Sequence, residues 1–367
     1  MKLQRFLFVL LISLISNSAM SWQLSPEATE IERRLINRSQ NWYEILLSKF
    51  ALKGIHVIGG SVHEEITNRI LGCAGDQYLC GAPGLDPDNA YFIAGVRWND
   101  DPPFRFGAGQ GAFTGCATGQ TVRLITQPAC WGSTFKDGEK RAGAGIALSG
   151  ANSTLLVRSH FGDMQFLHAM ATAEKEDPQV TKDKLMAWAE FTWRVSLGEY
   201  ELDAKVWQLP ISGFGELFLN NKEWRIQDLF ALGNPHIRTQ SAMSRVAFGS
   251  LLHLVQDSFS DGHVERRSPI AGRVCDKNPA WSAPGAVLEF HSYSKQDSNE
   301  HGKSDNRDSF GNHWSSDKPS VVDVGGVLHS LYMQKTPWET ASRYIECVFT
   351  LDEDVRRASA GERYTKR

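Results

Sequence analysis

Apolar side chains recur at helical spacing over most of the chain. Ile31, Leu35, Trp42, Ile45, Leu46 and Phe50 predict one or two helices over residues 26–52. Ser61 stands where a helix starting at Val62 would be capped. Glu64 and Glu65 then fall in its first turn, where negative charge is favourable. Residues 153–175 and 181–201 keep the same period, the latter through Leu185, Trp188, Phe191, Trp193 and Leu197. The clearest helix runs from Thr239 to Ser260, and two more are expected over 324–334 and 337–357. Two stretches break the pattern. Residues 101–150 are rich in Gly, Pro and Thr and read as a long irregular segment. Residues 291–320 are polar and read as a loop or an insertion. Alternation is weak and Gly or Pro interrupts most β-branched runs, so few strands are expected. The pattern predicts a mostly α fold.

The N-terminus changes the domain picture. Lys2 and Arg5 precede an apolar run from Phe6 to Ile15, and Ala19, Met20 and Ser21 precede Trp22. This is the pattern of a secretory signal peptide over 1–21, cut after Ser21. The run is too short to span a bilayer, which needs about 20 apolar residues. The expectation is a secreted protein, extracellular or periplasmic, with one helical domain over 22–367 and a helical extension over 321–367.

Export gives the six cysteines a meaning: an even number suggests disulfides. Proximity favours Cys73 with Cys80 and Cys116 with Cys130, leaving Cys275 with Cys347. No C-x-x-C pair is present to suggest a zinc–thiolate site. At 41% hydrophobic and 367 residues, the chain can bury a sizeable core. Its net charge of −3 gives no basis for bulk electrostatic binding to nucleic acid. No obligate protein partner is evident.

Candidate chemistry concentrates in the segment from Ser250 to His263. His253 and Asp257 are four apart on the clearest helix, so both project from one face and can reach one metal site. Leu251, Leu252, Leu254 and Val255 surround them, and an Asp in such a setting is costly to bury unless it is paired or ligates a cation. Asp261-Gly262 breaks the helix and leaves His263 free to point back.

This H-x3-D-x5-H pattern resembles the metal-binding core shared by zinc phospholipases C and single-strand-specific zinc nucleases. Those proteins are helical and hold three zinc ions. Further segments resemble the family's ligands in chain order. The family set starts at a tryptophan that becomes the mature N-terminus, and Trp22 takes that place. Val62-His63-Glu64-Glu65-Ile66-Thr67 resembles the next, with His63 as ligand. Arg97-Trp98-Asn99-Asp100-Asp101 resembles a Trp-x-Asp ligand, which points to Asp100, with Asp101 the competitor. Arg158-Ser159-His160-Phe161 resembles a His-Phe segment. His160 is its ligand and His168 a supporting or core residue, while Asp163 orients a ligand or sits in solvent. The late ligands are His301 and Asp305, with His291, beside Asp297 or Glu300, the competitor. His56, His236, His313 and His329 fall outside these motifs and are expected to be structural or exposed.

The resemblance implies that Asp257 bridges two ions. One is completed by Asp100, His160 and His253, and the second by Trp22 and His63. His263, His301 and Asp305 hold the third. It implies a zinc-dependent phospholipase C that hydrolyses the glycerol-side phosphodiester of a phospholipid, phosphatidylcholine by default, presented in a membrane or micelle. Asp100 is the expected catalytic residue, orienting or deprotonating the attacking water. Phe104, Phe106, Phe113 and Trp131 form either a lipid-facing rim or part of a structural loop. Clostridial relatives add a C-terminal β-sandwich, but the segment after Asp305 reads as helical and is too short for the roughly 100 residues that a sandwich needs. Two alternatives remain: a secreted zinc nuclease or other phosphodiesterase of the same superfamily, and a non-enzymatic exported helical protein with structural metal.

Overall fold

The computed structural model describes residues 61–73, 88–106, 116, 118–316 and 318–366. The signal peptide, Trp22, the helices over 26–52, His56, Cys80 and Phe113 lie outside the described residues.

The described residues are mostly helical, as the spacing predicts. Helix α1 (Val62–Ile70) starts at the expected place, but Ser61 makes no side-chain cap. Glu64 and Glu65 are buried instead. Glu64 accepts from Arg97 at 2.6 Å and Glu65 from Arg69 at 2.8 Å. Helix α2 (Asn89–Trp98) follows. A two-residue ladder then pairs β1 (Phe104–Arg105) with β2 (Thr121–Val122).

Helix α3 (Pro128–Gly143) lies inside the stretch expected to be irregular. Pro128 presets its first turn, and Trp131, Thr134, Phe135 and Gly138 form its buried face. The glycines that suggested a loop serve close packing: a Cβ at Gly138 would lie 2.9 Å from the Val157 side chain. Phe104, Phe106 and Trp131 are buried in a small core with Phe135, Leu156 and Phe161.

The helix expected over 153–175 stops early. Helix α4 (Leu155–Phe161) is capped by Thr154 and ends at Gly162, where a Cβ would lie 2.5 Å from the Leu148 carbonyl. A 3-10 turn, Gln165–His168, follows and closes on Ala169 in the left-handed region. Helix α5 (Pro178–Leu197) matches its prediction, with Asp177 as cap and Gly198 as stop. The short α6 (Ile226–Ala231) precedes α7 (Gln240–Asp257), which Thr239 caps. From Val246 to Asp257 every side chain of α7 is buried, the mark of a central helix.

Beyond α7, strand β3 (Val264–Arg266) pairs antiparallel with β4 (Val287–Phe290). The polar stretch expected to be a loop holds two helices, α8 (Ser298–Ser304) and α9 (Arg307–Ser316). Asp297 caps α8 through the amides of Asn299 and Glu300. Few apolar positions mark these helices, because in α8 only His301 and Ser304 are buried. Helices α10 (Val321–Met333) and α11 (Trp338–Val348) complete the chain, the second shorter than expected.

Cys116–Cys130 and Cys275–Cys347 form disulfides, as proximity suggested. Cys73 is disulfide-bonded too. No helix among the described residues is long and apolar enough to cross a membrane.

Candidate metal centre

Two glycines set the position of the central helices. A Cβ on Gly95 of α2 would lie 2.1 Å from the Val246 carbonyl, and one on Gly249 of α7 would lie 2.3 Å from the Phe92 carbonyl. Only hydrogen at both positions lets the backbones cross so closely. The crossing brings Asp100, just past α2, against His253 and Asp257 on α7. Helix α1 adds His63, and the turn after α4 adds His168.

Asp257 lies at the centre. His63 Nε2 is 3.3 Å from its Oδ1, and its Oδ2 lies 2.9 Å from His253 Nε2 and 2.8 Å from His168 Nδ1. Asp100 is surrounded by four imidazoles: nitrogens of His63, His160, His168 and His253 stand 3.7–3.9 Å from its oxygens. Neither Asp100 oxygen accepts a hydrogen bond among the described residues, although both are fully buried. His160 Nε2, which faces Asp100, and His168 Nε2 are likewise buried without a hydrogen-bond partner.

A second cluster lies beyond the end of α7. His263 Nε2 and His301 Nε2 face each other at 3.1 Å. Asp305 Oδ2 is 2.8 Å from His301 Nε2. The H-x3-D spacing spans one turn of α8 despite Gly302, with Asp305 as the C-cap. Gly262 gives room for this contact, since a Cβ there would lie 2.6 Å from Ser304 Oγ and 3.3 Å from the His301 ring.

The hydrogen bonds behind these rings fix where their lone pairs point. His253 Nδ1 donates to the Val96 carbonyl at 2.7 Å and His263 Nδ1 to the His168 carbonyl at 2.6 Å. His63 Nδ1 donates to Gln256 Oε1 at 2.7 Å, and Gln256 Nε2 in turn donates to Thr67 Oγ1. His301 Nδ1 donates to Gln296 Oε1, whose Nε2 donates to the Gly262 and Ala360 carbonyls. Each neutral ring therefore turns a bare nitrogen inward. Bare nitrogens and carboxylates packed this closely repel one another unless a proton or a cation lies between them. Histidines that ligate metals are held in this way, with the outer N–H on a carbonyl.

Protonation is a poor remedy at most of these rings. Burial drives His168 down to about 4 and His301 to about 3, and it holds His263 below its ordinary value. His63 is the exception: burial opposes its charge, but the carboxylates of Asp257 and Asp100 raise it to about 9. Burial opposes the charge of Asp257 as well, yet His253, His263 and His63 hold that carboxyl well below the usual range. Burial pushes Asp305 up to about 7. Four groups of donor atoms among the described residues could hold a metal ion, three of them at this centre: His63 with His253 and Asp257, Asp100 with His168 and His253, and His263 with His301 and Asp305.

The competitors fall away from this centre. Asp101 accepts the Leu124 amide at 2.9 Å and anchors β2. His291 donates to the Gly262 carbonyl and groups with Glu265 and Glu289. Glu289 there is taken by Arg356 and the Ser359 amide. Asp163 is partly exposed and pairs with Arg158 at 2.8 Å. His236 is exposed, and His329 packs edge-on against Phe92 and tilted against Phe248. His313 lies 3.5 Å from Asp261. His168 is the departure: its nitrogen belongs to a donor group, whereas His160 stands behind it with ring centroids 4.9 Å apart. The helix break at Gly162 was the available signal, because it ends the helix that would have placed His168 two turns from His160.

The donor groups reach a cleft lined by Ser159, His160, Gln165, His168, Met170, His263 and Tyr293. Its volume of about 10 Å³ is roughly the room for one water. Comparison with known proteins finds no family model, no curated protein and no solved structure that matches this chain.

Proposed function

We propose that this protein is a secreted, zinc-dependent phosphodiesterase, and specifically a phospholipase C. The observation that carries the reading is the fully buried Asp100 carboxylate, ringed by four imidazoles and accepting no hydrogen bond among the described residues. Such a carboxylate is costly without a cation. Histidine-rich donor sets with carboxylates and no thiolate favour zinc over calcium or magnesium. Zn–N bonds of about 2.0–2.1 Å in tetrahedral geometry separate ligand atoms by roughly 3.3–3.4 Å. The contact of 3.1 Å between His263 and His301 is near that spacing.

Clustered divalent ions, when bound, neutralise a phosphodiester's charge and lower the pKa of a water to about 7. The chain's own part is placement. Asp257 joins the α1, α7 and His168 donors. Gln256, Gln296 and the Val96 and His168 carbonyls hold the rings in one orientation. Asp100 accepts the proton of the attacking water and aligns it with the phosphorus. The narrow cleft limits bulk water near the reacting atoms. The lipid assignment rests on the order of the motif segments, from Trp-Asn-Asp-Asp to Ser-His-Phe-Gly-Asp.

The test is a zinc count per chain on the purified protein, followed by assays on phosphatidylcholine vesicles and on single-stranded DNA, each with and without chelator. Two to three zincs with chelator-sensitive diacylglycerol release are expected. Cleavage of DNA alone would keep the centre and replace the substrate. Absence of both zinc and activity would end the reading.

A further inference from the structure

A second concavity, separate in its walls from the cleft at the metal centre, lies between α3, the turn before α4 and the segment near Trp224. Its volume is about 430 Å³, in the range of small-ligand sites. Phe104, Phe106 and Trp224 supply apolar and aromatic walls, and Arg105, Arg141 and Arg158 supply three guanidiniums against two carboxylates, Asp137 on the lining and Asp163 on Arg158. The hollow thus holds one more guanidinium than carboxylates.

Arg158 is the built element of this hollow. It is 1% exposed, yet it faces the cavity. Its Nε and Nη2 donate to Asp163 at 2.8 and 3.0 Å, and Nη2 also donates to the Leu217 carbonyl. Nη1 takes part in none of these three bonds. Gly150 leaves room beside that nitrogen, since a Cβ there would lie 3.2 Å from it. Arg158 and His160 sit two apart on α4, so they project to different sides of it, one to this cavity and one to the metal centre. Arg141 donates to the Asn152 carbonyl and stands 3.7 Å from Asp137, and Arg105 donates to Thr121. Each keeps donors to spare, because a guanidinium carries five N–H groups.

We propose that this cavity binds a phosphate ester that carries an apolar group, with the phosphate on Arg158, Arg141 and Arg105 and the apolar part against Phe104, Phe106 and Trp224. Arginine's planar fork matches phosphate oxygens in pairs. The aromatic walls distinguish an ester from free phosphate. The site stands on its own residues and does not depend on the phosphodiesterase reading.

The test titrates the purified full chain with phenyl phosphate, inorganic phosphate and dihexanoyl phosphatidic acid below its micellar concentration, followed by tryptophan fluorescence and calorimetry. Arg105→Ala and Arg141→Ala stand on separate, partly exposed elements, and their melting curves report folding. Each is expected to weaken phenyl phosphate binding about tenfold, the effect of a lost charge-assisted hydrogen bond. Trp224→Phe is expected to remove the fluorescence change and keep the heat. Tighter binding of the lipid or of the soluble ester identifies the natural source. Equal affinity for inorganic phosphate would overturn the ester assignment. Unchanged affinity in the double arginine variant would overturn the site, as would loss of all binding in Asp257→Asn with both arginines intact, which would assign the signal to the metal centre.

Discussion

Single residues decide whether the centre holds a metal. Asp257 touches three imidazoles, so Asp257→Asn keeps the shape and removes the charge that gathers them. Metal analysis is expected to show at least one ion fewer per chain, and unchanged content would exclude Asp257 as a ligand. The residues behind the ligands are a finer test. Gln296 accepts from His301 and is itself anchored to two carbonyls. Gln296→Leu should weaken metal binding by about 10–100-fold, the usual effect of losing such support, as measured by competition with a fluorescent chelator. A prediction away from the centre concerns Glu176, which Lys184, Thr172 and Thr181 contact at 2.5–2.8 Å. Burial opposes its charge, but these partners lower its pKa from 4.5. A depressed carboxyl stabilises the fold above the unfolded value and loses that contribution as pH falls through the folded one. Urea midpoints of the wild type and Glu176→Gln should therefore differ at neutral pH and converge below pH 4.5. A constant difference across that range would refute the ion pair's role. At this scale much was legible: His63, Asp100, His253, Asp257, His263, His301 and Asp305 all lie in or beside the donor groups. His168, read from the sequence as a supporting or core residue, falls in a donor group because Gly162 ends the helix whose spacing that reading assumed.

Elements place those residues, and the crossing of α2 and α7 is the critical one. Gly95 and Gly249 meet there with no room for a methyl group. Gly249→Ala must push the backbones apart, and overpacking of this kind costs about 1–3 kcal/mol. The same displacement moves Asp100 away from His253. Two readouts are expected to shift together: a lower denaturant midpoint and a lower metal content. A stable Gly249→Ala protein with full metal content would show that the close crossing does not set the centre. The central helix α7 was legible because its apolar positions and its Thr239 cap agree. Helix α3 was hidden because Gly132, Gly138 and Gly143 resemble loop composition when one of them, Gly138, serves packing on Val157. Helix α8 was hidden for the opposite reason. Its buried face carries His301 and Ser304 instead of apolar residues, so hydrophobic periodicity cannot reveal a helix whose inward side chains are polar.

At the scale of the whole molecule, the donors come from α1, the Asp100 corner, the turn after α4, α7 and α8. Bound metal therefore ties together segments that span most of the described chain, and folding and metal binding should be linked. Asp100, Asp257 and Asp305 are all fully buried. Without cations, these carboxylates and the imidazoles around them remain packed together in the interior, an arrangement whose desolvation cost is large. A ligand that binds only the folded state stabilises it by about 4 kcal/mol at a thousandfold excess over its Kd. In a domain larger than 150 residues each kcal/mol moves Tm by about 2–4 °C. Dialysis against chelator should therefore lower Tm by about 10 °C or more, and added zinc should restore it. The disulfides separate this effect from general loosening. Cys275–Cys347 closes a loop of 72 residues, which constrains the unfolded chain by about 4 kcal/mol on entropic grounds. Cys275→Ser with Cys347→Ser should thus cost a comparable amount of stability while leaving the metal content intact, because neither cysteine adjoins a donor group. The two perturbations should add, since one acts on the native centre and the other on the unfolded chain. A chelator that leaves Tm unchanged in both the wild type and the disulfide variant would mean that the buried carboxylates are stable without metal.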